Sequence, residues 1–434
     1  MINRIKLLLS VILISIGSSA HAQGVTEKNI RIMVSPNHED WMYKQGEEAT
    51  FEVTVYKSNV PLKNARIYYE IGPERMTPTK KDSALLGNGK IILNGGTLKQ
   101  SGFLRCVVTT SVNDISYRGL ATVGYDAESI EPYAKTPVDF LEFWESGKKE
   151  LAKIPLDAKM TLLPERCTEA TNVYHVNLRG YGKASRLYGI LCVPKKEGRY
   201  PALLRVPGAG VRAYGGEIGL AEKGIITFEI GIHGVPVNLD AQVYTALAEG
   251  ALSGYQNFNM DDRDRFYYKR VYLNCIRAND FLTSLPQYDG SNLGVIGGSQ
   301  GGALAIVTAT LDKRVKYLSA MYPALSDLTA TLNGRTGGWP NYFDKGGMAY
   351  NNKPEKIATL GYYDVVNFAK GVKVPGIYSW GYNDEVCPPS STYASYNVIT
   401  APKTLLIYPE TGHWGFSEQN EKMGSWIVEQ LKKN

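Results

Sequence analysis

The stretch "LGVIGGSQGG", Leu293 to Gly302, constrains the fold more than any other part of the chain. "LGVIG" is short, apolar and partly β-branched, which suits a buried strand. "GGALAIVTATLDKRVK" follows and is rich in helix formers, with Leu304, Ile306, Val307 and Leu311 available for one buried face. Ser299 stands between two glycine pairs at the junction. Strand, sharp turn and helix lift a serine hydroxyl clear of a sheet, and glycines permit the close approach such a turn demands. The bare G-x-S-x-G pattern is weak evidence. With 44 glycines in 434 residues, chance alone supplies it in roughly a third of such chains. The flanking strand and helix carry the reading of Ser299 as a nucleophile.

A serine needs a base within hydrogen-bond reach, and the base needs an orienting acid. In α/β-hydrolases these follow in the order serine, acid, histidine. "VPGIYSWGYNDEVCPP" reads as a strand whose following loop presents Asp384, with Glu385 beside it. "KTLLIYPETGHWGF" reads as the next strand, followed by His413, and Glu410 is another candidate acid. His413 is the only histidine after Ser299, so the base is tightly constrained and the acid less so. Negative charge on the attacked carbonyl oxygen also needs backbone donors. One is the amide of Gln300, next after the serine. "PALLRVPGAGVRAYGG" offers the other in its turn, at Ala209 or, within one residue, Gly210.

The rest of the chain divides into two parts. From Gly24 to Tyr125, runs such as "ATFEVTVYK", "ARIYYEIG" and "FLRCVVTTSV" alternate apolar and polar residues between turns. This predicts a small all-β sandwich of immunoglobulin-like type over 24–125. "DAESIEPYAKTP" reads as a linker over 126–137, with Pro132 and Pro137. From 138 to 434, strand-like and helix-like segments alternate, which predicts an α/β domain with a mostly parallel sheet. Its helices include Phe140, Phe143, Trp144 and Leu151 on one apolar face, and the run from Tyr267 to Pro286.

The first 22 residues read as a signal peptide. Arg4 and Lys6 precede an apolar core from Leu7 to Ile16, and Ala20-His21-Ala22 offers a cleavage site. That core is shorter than the roughly 20 residues needed to span a bilayer. An exported protein, periplasmic or secreted, is therefore expected. The formal net charge of +6 loses two positive charges with the leader, and no long basic run follows, so nucleic acid is not an expected partner. The five cysteines and four remaining histidines are widely scattered, and no C-x-x-C occurs. No metal site is expected, an odd cysteine count leaves at least one thiol unpaired, and hydrolysis by serine needs no cofactor.

Four stretches resemble the acetyl xylan esterase and cephalosporin C deacetylase family, carbohydrate esterase family 7. They are "PVDFLEFWE", "YYKRVYLNCIRANDFLTSLPQYDGSNLGVIGGSQGG", "GYNDEVCPPSSTYASYNVITAPKTLLIYPETGH" and the "RVPGAG" turn. The resemblance runs from about Pro137 to the C-terminus. It implies an α/β-hydrolase fold, Ser299 as nucleophile, His413 as base, Asp384 rather than Glu385 as acid, and the amides of Ala209 and Gln300 as oxyanion donors. It also implies oligomers and an acylated carbohydrate substrate. The chain departs from the family in three places. Pro207-Gly208 replaces His-Gly, His233-Gly234-Val235 lies where the family has Arg-Gly-Gln, and Trp414 replaces a glutamate after the histidine. The departures predict His233 and Trp414 as substrate contacts, and as neighbours that steady the His413 loop. Otherwise Trp414 lines the substrate mouth as a platform for sugar.

The expected activity is removal of small acyl groups, acetyl foremost, from carbohydrate. A serine peptidase of the prolyl oligopeptidase kind shares such a glycine-flanked serine, but its accessory domain is usually a propeller. A non-catalytic glycan-binding protein would not need all of Ser299, Asp384 and His413.

Overall fold

The computed structural model describes residues 29–433. The leader read at residues 1–22 lies outside the described residues. The N-terminal strands form two sheets. One holds Ile30–Pro36, Ala49–Lys57, Val60–Pro61 and Lys90–Gly96; the other holds Met42–Tyr43, Ala65–Pro73, Lys80–Leu86, Gly102–Val112 and Ile115–Tyr125. The period-two alternation is what builds their inner faces. Phe51, Val53 and Val55 from the first sheet meet Ile67, Ile71 and Val108 from the second in one core.

The α/β part carries a nine-stranded sheet. Its order is Lys159–Leu162, Thr171–Arg179, Arg186–Pro194, Ile226–Gly231, Tyr200–Arg205, Tyr288–Gly298, Val315–Met321, Gly376–Trp380 and Lys403–Ile407. The first four pair antiparallel and the remainder parallel. The chain order reverses at Tyr200–Arg205, whose two neighbours come next in sequence on opposite sides. Loops leaving such a point diverge and open a crevice at the carboxyl ends of the strands. The turn after Arg205 and the turn holding Ser299 border that crevice.

Helix Phe140–Ala152 buries Phe140, Phe143, Trp144 and Leu151 together, as its spacing predicts. Helix Tyr267–Ser284 stops two residues before Pro286, because the residue preceding a proline is forced out of helical backbone, and Leu285 is extended. The helix after Ser299 corrects the expectation of a single buried face. Gln300–Leu311 is buried around almost its whole circumference, lying between the sheet and other helices. It is also shorter than expected. Asp312 accepts the amide of Arg314 at 3.0 Å and turns the chain, so Val315 begins a strand. No glycine or proline announces that turn in the sequence.

The segment at 126–137 is fastened along its length. Asn397 donates to the carbonyls of Ala127 and Ile130, both at 3.0 Å. Buried Asp327 accepts the amides of Tyr133 and Ala134, both at 2.8 Å. Ile130 and Ala134 join the core of the α/β part.

Candidate active site

Ser299 sits at φ 60°, ψ −127°, a conformation that costs a non-glycine residue about 1–3 kcal/mol. Its surroundings hold it there. A Cβ at Gly297 would lie 2.3 Å from the Gly301 carbonyl oxygen. One at Gly301 would lie 2.4 Å from the Val206 carbonyl oxygen, and one at Gly302 would lie 2.7 Å from that of Met321. These three glycines let the turn close against the neighbouring strand ends. Gly298 is less confined, with its nearest neighbour the Tyr322 ring at 3.4 Å.

The structure brings Ser299, His413 and Asp384 together. His413 Nε2 lies 2.9 Å from Ser299 Oγ, and His413 Nδ1 lies 2.8 Å from Asp384 Oδ2. Asp384 is fully buried. Its other oxygen accepts the amides of Val386 and Cys387, each at 2.8 Å. A carboxylate so satisfied is locked in orientation, and the only direction left for Oδ2 is toward the histidine. The Tyr322 ring packs against the imidazole, with centroids 4.5 Å apart. Glu385 faces away from His413 and pairs with Arg118.

The turn after Arg205 stands over the serine, since a Cβ at Gly208 would lie 3.8 Å from that of Ser299. Arg212 donates to the carbonyls of Ala209, at 2.7 Å, and Gly208, at 3.4 Å. His233 Nε2 reaches the carbonyl of Gly210 at 3.0 Å. A trans peptide holds its N–H opposite its carbonyl, so the two Arg212 bonds aim the amides of Ala209 and Gly210 the other way, and the His233 bond does the same for that of Val211. Neither the amide of Ala209 nor that of Gln300 donates to another main-chain group among the described residues, whereas that of Gly210 lies against the Tyr255 hydroxyl. The Gln300 side chain is buried beneath. It accepts from Tyr255 at 2.8 Å and Tyr268 at 2.9 Å, and its amide reaches the Pro207 carbonyl at 3.4 Å. This tie between the two turns escaped sequence reasoning, because the side chain of Gln300 looked incidental beside its backbone.

His233 does not take the place expected of it. It is absent from the residues lining the cleft above Ser299 and lies behind the Gly208–Gly210 turn. A carbonyl can only accept, so Nε2 carries the proton and Nδ1 accepts from Tyr267 Oη at 2.7 Å. Burial pushes the imidazole down to about 4, in keeping with a neutral ring. Trp414 is half exposed and meets Phe416 edge-on at 5.1 Å; it too is absent from the cleft lining. The two residues have separate partners, and no ring pair joins them among the described residues. The departures at 233 and 414 thus act at different places.

The cleft measures about 610 Å³, ample for a sugar ester. Its walls include Arg205, Tyr214, Glu229, Tyr322, Trp339 and Val386. Burial raises the Glu229 carboxyl above its usual range, although Arg205 lies 3.6 Å away. All five cysteines are free thiols and four are buried. Burial pushes Cys106 and Cys275 up to about 12, which leaves them inert. Among the described residues no group of three or more histidine, cysteine or acidic side chains could hold a metal ion, and no helix is long and apolar enough to cross a membrane.

The acetyl xylan esterase (AXE1) family model matches residues 126–430. Acetyl esterase Axe7A of Xylanibacter ruminicola is 40% identical over 402 residues, 92% of this chain and 90% of that protein. An acetyl xylan esterase from Paenibacillus sp. R4 superposes with a TM-score of 0.60 at 28% identity, over 69% of this chain and 97% of its own. Acetyl xylan esterase 1 from Thermoanaerobacterium sp. JW/SL YS485 shares the fold, with a TM-score of 0.62 at 24% identity over 71% of this chain and 98% of its own. A carboxylic ester hydrolase built on the α/β-hydrolase fold, this chain belongs to the acetyl xylan esterase family.

Proposed function

We propose that the protein is an exported deacetylase of acetylated carbohydrate, working through an acyl-enzyme on Ser299. The observation that carries this reading is the unbroken line from Ser299 Oγ through His413 to Asp384, with bonds of 2.9 Å and 2.8 Å. Ser299 Oγ attacks the ester carbonyl while His413 Nε2 takes its proton. The tetrahedral oxyanion is held by the amides of Gln300 and Ala209, each such donor being worth about 10²–10³ in turnover. His413 then protonates the leaving sugar oxygen, and water repeats the sequence in reverse roles. Asp384 holds Nδ1–H and so keeps Nε2 free to accept. In the same reading the leader at residues 1–22 directs export. The two-sheet N-terminal unit is an immunoglobulin-like domain over 24–125, joined through 126–137 to the catalytic domain at 138–434.

The test is release of acetate from acetylated xylo-oligosaccharides and from para-nitrophenyl acetate, run beside a dipeptide amide. Hydrolysis of the amide at a comparable rate would replace this reading with a peptidase. Acyl length supplies a second check. Acetyl esters should outrun octanoyl esters by about a hundredfold in kcat/KM, a loss of well under 1 kcal/mol per added methylene. Equal rates on the two would mean a general esterase.

His233 supplies a pH prediction. Its folded value of about 4 lies below the ordinary 6.5. Between those values the unfolded chain takes up a proton that the folded one refuses. Its contribution to stability is therefore complete above about 6.5 and is lost as pH falls toward about 4. Urea unfolding at pH 7 and pH 5 should show His233→Gln losing about 2 kcal/mol less than wild type over that interval. Parallel losses in the two proteins would show that His233 is not held neutral by the fold.

A further inference from the structure

The loop bearing Asp384 is gripped from outside by the N-terminal β-unit. Arg105, on strand Gly102–Val112, is 5% exposed. Its Nη2 donates to the carbonyl of Asp384 at 3.1 Å and to that of Tyr382 at 3.4 Å. Its Nη1 reaches Glu385 Oε1 at 3.5 Å, and its Nε is tied to Thr122 at 2.7 Å. Arg118 grips both oxygens of Glu385, at 2.8 Å and 2.7 Å. Arg75 donates to the Glu385 carbonyl. Just beyond, Glu74 accepts the amide of Ser390 at 2.9 Å. Three arginines from one unit thus converge on two consecutive residues of the other.

A buried guanidinium is costly to desolvate and persists only where its donors are met. Here much of what it meets is main chain of the acid loop. The carboxylate of Asp384 fixes the inner side of that loop through Val386 and Cys387. Arg105 fixes the outer side through the carbonyl of Asp384 itself. Reaction rate is steep in such placement, since an error of about 1 Å can cost about a hundredfold. The solved Paenibacillus esterase is almost wholly matched by 69% of this chain, so it has no length to spare for such a unit.

We propose that Arg105, with Arg118 and Glu385, is a positioning residue for ester hydrolysis, and that the N-terminal unit completes the active site by fixing the loop that presents Asp384 to His413. The proposal rests on the reading of Asp384 as the orienting acid. It differs from simple docking of one unit on another, which would change stability and leave the rate per folded site untouched.

The test uses the full chain and para-nitrophenyl acetate, with competent sites counted by covalent titration of Ser299 with a sulfonyl fluoride. In Arg105→Met, kcat per titrated site should fall about tenfold to a hundredfold, with KM within about twofold. In an Asp384→Asn background the same change should cost less than about twofold, because the group it acts through is already disabled. Glu385→Gln leaves Arg105 its buried ion-pair partner Glu74, whose Oε2 lies 3.8 Å from Nη2, and should show the same pattern at smaller amplitude, at least about threefold in kcat. It serves as the deciding variant if Arg105→Met does not fold. Unchanged kcat per site in the variants that fold would overturn the proposal, as would an undiminished loss in the Asp384→Asn background. Full activity of Asp384→Asn alone would instead overturn the reading of the acid on which it rests.

Discussion

Ser299→Ala should lose about 10⁴-fold or more in turnover on para-nitrophenyl acetate while keeping the wild-type melting temperature. The hydroxyl is the group that His413 meets at 2.9 Å; among the described residues no other hydroxyl or thiol bonds to His413, and the Cys387 thiol beside Ser299 is pushed far up by burial. The fold should be indifferent to the change. Alanine carries the same backbone penalty as serine at φ 60°, and the glycine contacts that hold the turn do not involve Oγ. A purified variant keeping a tenth of the wild-type rate would remove Ser299 from the mechanism.

Asp384→Asn should cost about 10³–10⁴ in kcat, nearly as much, for a different reason. The amides of Val386 and Cys387 need an acceptor, so the asparagine oxygen stays with them. Its NH₂ group then faces His413 Nδ1, which must accept rather than donate. The proton moves to Nε2, and the imidazole can no longer take one from the serine. Titration of Ser299 with a sulfonyl fluoride should slow in parallel. Glu410→Gln, changed alongside, should stay within about twofold of wild type, since Glu410 is exposed. The reverse ranking would hand the role of acid to Glu410.

Local signals made much of this legible. A buried strand, a glycine-flanked serine and a helix are contiguous in the chain, so the Ser299 turn could be read directly. His413 followed from being the sole histidine downstream. Asp384 had Glu385 and Glu410 as rivals on spacing alone, and what separates them physically is burial, the two amides on Oδ1 and the bond from Oδ2 to His413. What stayed hidden depends on distant residues meeting. The bond of Gln300 to Tyr255 and Tyr268 spans 45 and 32 residues, and the reach of Arg105 to Asp384 spans 279. Nothing in the composition of either partner announces the other. His233 was misplaced for a related reason. A strand-end loop can send its side chain into the cleft or behind the next loop, and the carbonyl of Gly210 decided that. The helix was read on to Lys316, two residues into the strand Val315–Met321, because a side-chain turn at Asp312 leaves no glycine or proline as a mark.

The glycine contacts around Ser299 have a consequence for how this enzyme could be changed. At positions 297, 301 and 302 a single methyl would strike a main-chain atom within 2.7 Å, and main chain cannot swing aside as a side chain does. The base of the catalytic pocket therefore offers a mutagenesis library nothing to vary. Tyr322, Trp339 and Val386 line the cleft with side chains, so room for a bulkier acyl group, or a new preference among sugars, has to be carved from the walls.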